Sequence, residues 1–334
     1  MKWYRQIFNL EDPEALMQMA DDQEQRQDLH KAASLLDRAY GLRPHDAALT
    51  ERRHKLLHSL AREHEGARYC YVPAGYFLMG SQHGEPDERP VHAAFTEAFW
   101  MAEVPVSWWQ FCQGMGYLPP PLACPETPSD LDEGMGFLIV NSMRHPYCED
   151  HARGASDWHN HFYEAVGEEA WPYAPDREPK PHGYSLKPVV AVSLKQAQQF
   201  CQRLGLRLPS ETEWEKAARG GLIGQPYPWG SQPPDSQRCD FNRFEEFSIL
   251  PSRQFPANGY GLYAMSGGVW EWTSSRYDAL AYRRWLGSSL ARQYVVRGGS
   301  WADCAEAVTV SFRDARPADP RPSANQGFRP VLSP

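Results

Sequence analysis

The sequence predicts an α+β protein with a short N-terminal helical hairpin, and two contrasts along the chain support this prediction. In residues 1–68, apolar side chains recur every three or four positions, as at Ala32, Leu35 and Leu36, which is the period of an amphipathic helix. The remainder, residues 69–334, holds all but one of the 12 Trp residues, spread among short apolar runs with many Gly and Pro. This composition favours a compact mixed fold stabilised by aromatic side chains and turns.

Length, charge and cysteine usage limit the class of protein. A chain of 334 residues with 42% hydrophobic content can bury a large core, and no apolar run is long enough to cross a membrane. The acidic residues near the start argue against a secretory signal, so we expect a cytoplasmic protein. A net charge of −8 argues against general nucleic-acid binding. The seven cysteines contain no CxxC pair, so neither structural zinc nor a disulfide framework is expected.

The predicted hairpin turns at GLRPHD. Gly41 suits a helix C-cap, and Pro44 prevents the helix from continuing. The pair resembles a single tetratricopeptide-type unit, which cannot bury its own apolar face. We therefore expect the hairpin to dock on residues 69–334, and its surface is a candidate site for a protein partner.

Two capping boxes predict helices inside the larger domain. Ser193 and Gln196 precede the run LKQAQQFCQRLG, and Ser210 and Glu213 precede the second helix, ETEWEKAARGG. Gly residues end both runs, as expected at helix C-termini.

Seven blocks of the sequence carry a family resemblance. In order they are YVPAGYFLMGS (71–81), ERPVH (88–92), KPVVAVSLKQAQQFCQRLGLRLPSETEWEKAARGG (187–221), YPWG (227–230), NGYGLYAMSGGVWEWTSS (258–275), RGGSWAD (297–303) and NQGFRPV (325–331). Their order and spacing resemble the formylglycine-generating enzyme (sulfatase-modifying factor) family. The resemblance implies that family's elaborated C-type-lectin-like fold for residues 69–334, with residues 1–68 outside it.

The resemblance also implies a copper site, which the sequence does not complete. Members that act on sulfatases have a Cys at the third position after the GGS turn and a second Cys after four further residues; together these hold copper(I), which activates dioxygen to oxidise a substrate cysteine to formylglycine. In this chain the two positions are Asp303 and Val308. Cys304 is displaced by one residue, which in an extended segment reverses the side-chain direction. Because copper(I) prefers thiolate ligands, we expect neither copper bound by a cysteine pair nor formylglycine formation. We expect Cys304 to be a small buried or half-buried thiol, with a reactive thiol as the alternative.

A calcium site is implied in the turn before the WEW element. The family binds calcium there through an Asn or Asp side chain, two backbone carbonyls and a Glu. Here Gly267, Val269 and Glu271 retain three of these donors, but Ala264 has no side-chain oxygen. Asp240 matches a second calcium site of the family. Calcium at these degenerate sites is a candidate only.

Non-heme iron is another candidate. Related oxidases of the same fold hold iron with three histidines on an N-terminal helical domain. His54 and His58 lie four residues apart on a predicted helix, so both imidazoles share one face and can share a transition metal. His30 or His64 could add a third ligand, although Leu60 replaces the Glu of the related pattern.

Residues 106–186 are too irregular for secondary structure to be assigned, and they contain a second histidine cluster. In DWHNHFYE, His159 and His161 would share a face only on a strand, whereas Asp157 and His161 would share one only on a helix. Polar loop residues are the simpler interpretation. The segment contains five histidines, four of which, His145, His151, His159 and His161, lie within residues 145–161.

The last third of the chain supplies a candidate binding pocket. Arg and Asp side chains with aromatic walls can hold a carboxylate or amide ligand through bidentate hydrogen bonds and stacking. The candidates are Trp270, Trp301, Asp303, Arg313, Asp314 and Arg316. Alternatively, Arg313 and Arg329 form buried ion pairs, and Trp270 and Trp272 belong to the core.

Two classes of function follow. One is an oxidase or oxygenase relative that acts on a small molecule or peptide with a metal held by something other than a cysteine pair. The other is a non-catalytic ligand-binding module on a C-type-lectin-like scaffold. The fold alone does not separate them.

Overall fold

A computed structural model describes residues 12–116, 187–190, 192–243, 249–284, 292–318 and 325–334. Most of the irregular 106–186 segment, including its five histidines and Asp157, lies outside the described residues. Within them, no helix is both long enough and apolar enough to cross a membrane.

The N-terminal part contains helices α1 (Pro13–Gln25), α2 (Leu29–Leu42) and α3 (Ala47–Ser59). An Asp side chain caps each N-terminus by accepting a hydrogen bond from a backbone N–H of the first turn. Helices α2 and α3 form the expected hairpin, whereas α1 was not expected. Helix α1 packs Leu16 and Ala20 against Leu35 and Leu36 of α2, so the hairpin buries one face against this added helix.

The larger part contains two four-stranded sheets and one β-hairpin among the described residues. The first sheet has the order β1-β2-β5-β10, all antiparallel. Its strands are β1 (Arg62–His64), β2 (Ala67–Val72), β5 (Phe99–Ala102) and β10 (Val331–Leu332). The hairpin pairs β3 (Gly75–Met79) with β4 (His92–Thr96).

The second sheet has the order β8-β7-β6-β9 and carries the candidate pocket. Its strands are β6 (Trp270–Arg276), β7 (Gln293–Arg297), β8 (Asp314–Pro317) and β9 (Gln326–Phe328). The β6–β9 pair is parallel and the other two pairs are antiparallel.

Helices pack around these sheets. They are α4 (Trp108–Met115), α5 (Leu194–Arg203), α6 (Glu211–Arg219) and α7 (Ala281–Arg284). Both predicted capping boxes are present, at the starts of α5 and α6. Gly220 ends α6 with φ +60°, a conformation that glycine adopts without steric cost. The α+β class is therefore confirmed.

The N-terminal helices contact the rest of the chain through a buried guanidinium. Arg53 of α3 donates to Asp37 of α2 (2.6 Å) and to the carbonyls of Gly220 (3.1 Å) and Gly259 (2.7 Å). Tyr260 donates to the second carboxylate oxygen of Asp37 at 2.8 Å. Helices α2 and α3 therefore meet two loops of the larger domain, at Gly220 and Gly259, around the Arg53–Asp37 ion pair.

Strand β1 extends this junction into the first sheet. It follows α3 directly and pairs with β2, and Trp100 Nε1 of β5 donates to the Leu60 carbonyl at 2.7 Å. The helices are thus joined to the sheet by packing, hydrogen bonds and chain continuity. The domain division at residue 68 stays a prediction.

Candidate functional site

Strand register places part of the predicted pocket on one face of the second sheet. Trp272 pairs with Val296, and Val296 pairs with Asp314. Side chains two residues apart on a strand point to the same face. Trp270 of β6 and Arg316 of β8 therefore lie on the same face as these three residues.

Asp303 is anchored beside Trp270. Trp270 Nε1 donates to Asp303 Oδ2 at 2.8 Å, and Ser300 Oγ donates to the same oxygen. Asn325 Nδ2 in turn donates to Ser300 Oγ at 3.0 Å. Ser300 and Trp270 are buried, whereas Asp303 is half-buried. Among the described residues, Asp303 Oδ1 has no hydrogen-bond partner, so the carboxylate is fixed by one oxygen and offers the other.

The local backbone explains how Asp303 reaches this position. Gly299 has φ +68°, and a Cβ there would lie 2.7 Å from the Ala307 carbonyl oxygen. Only glycine fits such a close approach in this conformation. The GGS turn thus folds back on Ala307, and the Asp303 N–H bonds the Ser300 carbonyl at 3.1 Å.

Arg316 lies over the same indole. Its guanidinium carbon is 5.7 Å from the Trp270 ring centroid, and its Nε makes a long hydrogen bond of 3.4 Å to Asp314 Oδ2. The side chain is 22% exposed, and neither Nη atom has an acceptor among the described residues. Phe312, half-buried, packs with its ring centroid 6.0 Å from that of Trp270. We refer to Ser300, Asp303, Phe312 and Arg316 around Trp270 as the Trp270 site.

The other two predicted pocket residues lie elsewhere. Arg313 forms a two-pronged ion pair with Glu211 of α6 (2.5 and 3.1 Å) and stacks 4.4 Å from the Tyr282 ring. Burial disfavours its charge, but Glu211 outweighs burial and raises the pKa of Arg313. Arg313 lies one residue before β8, and its side chain contacts Glu211 rather than the Trp270 site. Trp301 is buried, and its backbone N–H donates to the Gly268 carbonyl at 2.9 Å.

Sequence reasoning missed Ser300 and Phe312 of the Trp270 site, and also Asn325, which donates to Ser300. Ser300 stands three residues before Asp303, a spacing at which a hydroxyl often bonds a nearby polar group. That spacing was a usable signal. Phe312 and Asn325 had none, because they reach the site from separate segments.

The residues at the expected copper positions do not fit copper(I). Asp303 has its side chain in the Trp270 site, and Val308 is fully buried. Cys304 is exposed. No thiolate pair exists at this turn, and a carboxylate with an aliphatic side chain does not provide the soft ligands that copper(I) needs.

Three other cysteines are buried. Burial raises the pKa of Cys70 to about 11 and that of Cys201 and Cys239 to about 12. Because the thiolate is the reactive form, these three side chains are inert near neutral pH.

Glu271, the charged donor at the first calcium position, already has partners. Both oxygens of Glu271 accept from Arg329 (2.9–3.1 Å), and Trp214 Nε1 also donates to Oε2 at 2.7 Å. Arg329 donates as well to the carbonyls of Tyr263 and Ala264. A buried guanidinium thus neutralises the carboxylate, and the donor set fits a calcium ion poorly. The Arg329–Glu271 contact is a buried ion pair, which is the alternative that the sequence left open for Arg329.

The second calcium position is also engaged. Asp240 accepts from Arg243 (3.0 Å) and from the Leu250 backbone N–H (2.9 Å). Its own carbonyl accepts from the Gly268 N–H at 2.8 Å, which binds this loop to the turn containing Gly267 and Val269. Calcium at either position stays a prediction.

The predicted metal pair on α3 has two exposed histidines. The ring centroids of His54 and His58 are 6.1 Å apart. The two proposed third ligands are occupied elsewhere: His30 shares a hydrogen bond with the Tyr71 hydroxyl (2.8 Å), and His64 Nε2 donates to the Leu204 carbonyl (2.7 Å). In the part of the chain that the structure describes, no three His, Cys, Asp or Glu side chains are grouped to hold a metal.

Comparison with known proteins adds independent findings. A family described as "Sulfatase-modifying factor enzyme 1-like domain" matches residues 55–334. The formylglycine-generating enzyme of Streptomyces coelicolor is 30% identical over 287 residues, covering 77% of this chain and 87% of that protein. The inactive C-alpha-formylglycine-generating enzyme 2 of Bos taurus is 39% identical over 157 residues, covering 42% of this chain. This chain spans 49% of the length of that bovine relative.

Two further similarities concern an oxygenase and the fold. Hercynine oxygenase of Mycolicibacterium smegmatis is 28% identical over 267 residues, covering 73% of this chain and 56% of that protein. The solved structure of Treponema denticola variable protein 1 aligns with a TM-score of 0.54 at 14% identity, covering 82% of this chain and 98% of that chain. The elaborated C-type-lectin-like fold expected from the resemblance is confirmed.

Proposed function

This chain belongs to the sulfatase-modifying factor (formylglycine-generating enzyme) family, and we propose that it is a non-canonical member that binds a small molecule or peptide at the Trp270 site without converting a cysteine to formylglycine. The observation that carries the proposal is Asp303. It stands where the family resemblance places the first copper-binding cysteine, and its carboxylate is anchored by Trp270 and Ser300.

The chemistry of the Trp270 site suits binding. A carboxylate with one available oxygen and a guanidinium with two available nitrogens flank one buried indole. A site of this kind fixes a ligand through a few oriented polar groups, which the buried indole holds in place. None of its side chains is a soft metal ligand, so binding rather than copper-dependent oxidation is the chemistry it supports.

A second candidate function is oxidation by a histidine-held metal. The similarity to a hercynine oxygenase favours it, because that name denotes an oxygenase within the same family. His54 and His58 would supply two ligands for non-heme iron, which when bound would activate dioxygen. Their shared exposed face is the supporting geometry.

A ligand screen on four variants tests the proposal. We expect compounds that raise the melting temperature of the wild type to lose this effect in Asp303→Asn and Arg316→Gln. Asp235→Asn and Arg238→Gln, which alter an exposed ion pair outside the Trp270 site, are the matched controls. Ligand effects that persist in both site variants would overturn the proposal. Iron that co-purifies with the wild type and supports oxygen consumption would favour the oxidase instead.

Partners and location also stay proposals. A protein partner for the N-terminal helices and a cytoplasmic location are consistent with the sequence. Neither carries the argument for the Trp270 site.

A further inference from the structure

We infer that the ligand of the Trp270 site is a zwitterion, with an ammonium group at Asp303 and a carboxylate at Arg316, as in a free amino acid. The inference rests on the proposed function, since it names the ligand class of the same site. Three observations support it.

The first observation is the availability of Asp303. Its Oδ2 already accepts two hydrogen bonds, from Trp270 and Ser300, which orient the carboxylate. Its Oδ1 has no partner in the described part of the chain, and the residue is only half-buried. An oriented carboxylate that retains one oxygen recognises an N–H donor, and a positively charged donor makes the stronger hydrogen bond.

The second observation is the availability of Arg316. Its contact with Asp314 is a single long hydrogen bond of 3.4 Å from Nε. Both Nη atoms lack acceptors among the described residues, although the side chain is 22% exposed and thus mostly buried. A planar guanidinium in this state matches a ligand carboxylate in bidentate geometry, which a lysine could not reproduce.

The third observation is that both groups contact one rigid element. Trp270 is 2% exposed, and its indole is held by the bond to Asp303 on its edge while Arg316 lies over its ring. The spacing between the two charges is therefore set before a ligand arrives, which lowers the entropic cost of binding. Phe312 beside the indole offers an apolar surface for the remainder of the ligand.

Charge balance selects for a ligand with both charges. A ligand with only a carboxylate leaves Asp303 without a cation, and a ligand with only an ammonium group leaves Arg316 with only its long contact to Asp314. Unpaired, partly desolvated charges weaken binding, so each single-charge analogue should bind less tightly than the zwitterion.

The experiment uses the full chain and three forms of each probe. The twenty free L-amino acids are screened by thermal shift, and the best binder is then titrated calorimetrically beside its primary amide and its N-acetyl derivative. We expect each derivative to bind about 30-fold more weakly or worse, the loss typical of truncating one partner of a buried charge pair.

Variants assign each loss to a residue. Asp303→Asn removes the partner of the ligand's ammonium group, so this variant should bind the free amino acid and its N-acetyl form with similar affinity. Arg316→Gln removes the partner of the ligand's carboxylate, so this variant should bind the free amino acid and its amide with similar affinity. Arg316→Lys should fall between wild type and Arg316→Gln, because it keeps the charge but not the bidentate geometry. Comparable melting temperatures of the unliganded variants exclude misfolding as the cause.

The failure of this inference can be distinguished from the failure of the proposed function. If a singly charged or neutral compound binds as tightly as any zwitterion and loses affinity in Asp303→Asn, the site is real and the zwitterion inference is wrong. If no free amino acid binds, the inference is also wrong. If neither Asp303→Asn nor Arg316→Gln changes the binding of any compound, both the zwitterion inference and the proposed function are wrong.

Discussion

Replacing Arg53 with methionine should detach the N-terminal helices from the larger domain. The guanidinium is buried, bonds Asp37 and the carbonyls of Gly220 and Gly259, and stacks 4.2 Å from the Tyr40 ring. Methionine keeps most of the side-chain volume but removes all donors. The variant therefore tests the polar contacts rather than packing.

The expected cost follows from what the substitution leaves behind. Asp37 keeps its bond from the Tyr260 hydroxyl but loses its ion pair with Arg53, and breaking a buried ion pair in this way costs about 3–5 kcal/mol. The two carbonyls lose one donor each. Arg52→Met is the matched control, because Arg52 is 32% exposed and pairs with Asp21 and Glu24 at the surface. Exposed pairs contribute roughly 0–1 kcal/mol.

Urea unfolding of the wild type and both variants gives the free energies of unfolding, and limited proteolysis near residues 62–70 reports release of the helices. We expect Arg53→Met to lose about 3–5 kcal/mol and to be cleaved faster, while Arg52→Met changes little. In Asp37→Asn with Arg53→Met, the loss should be smaller than the sum of the single losses. Equal stability of Arg53→Met and Arg52→Met, or rapid release of a stable 69–334 fragment from the wild type, would refute the reasoning.

Three further outcomes are expected. Burial lowers the pKa of Lys216 from 10.5 to about 8. Between pH 8 and pH 10.5 the unfolded chain therefore binds more protons than the folded chain, and the stability of the wild type relative to Lys216→Met should rise by up to about 3 kcal/mol. Urea unfolding at both pH values checks this. A similar rise relative to Lys55→Met, which removes an exposed lysine, would contradict it. Ala264 has φ +51°, so Ala264→Gly should increase the free energy of unfolding by about 0.5–1 kcal/mol, and a decrease in urea unfolding would show that the turn is not strained. The metal content of protein purified without a His-tag should be the same in the wild type and in His54→Ala with His58→Ala; iron lost only from the double variant would support the oxidase.

The elements with strong local signals could be predicted from the sequence. Both capping boxes start helices, because Ser193 and Ser210 each bond the third residue of the helix that follows. Helix α2 follows from its apolar period. Helix α1 was missed because it buries only Leu16 and Ala20, too few for a clear period, although Asp12 before a proline was a usable start signal.

The candidate site was only partly predictable, for a geometric reason. Arg313 and Arg316 are close in sequence and chemically alike, so they were grouped in one pocket. Arg313 lies just before strand β8 and contacts Glu211, whereas Arg316 lies within the strand and contacts Trp270. This division depends on where a four-residue strand begins, and residue types alone do not fix such a boundary.

Arg313 and Arg329 form buried ion pairs in this structure, as the second of the two interpretations of the sequence predicted. Each guanidinium binds a buried carboxylate, Glu211 for the first and Glu271 for the second. The sequence could not choose between pocket and core for these residues, because the partner carboxylates lie 102 and 58 positions away.

The most direct test of the proposed function is conversion of a peptide that carries the CxPxR motif. The chain is incubated with copper(I), a thiol reductant, dioxygen and the peptide. The product is read by mass spectrometry beside that of the Streptomyces coelicolor formylglycine-generating enzyme as the control. Because Asp303 and Val308 offer no thiolate pair, we expect the peptide cysteine to remain unmodified in this chain and to become an aldehyde with the control enzyme. Copper-dependent aldehyde formation by this chain would contradict the assignment of Asp303 to ligand binding.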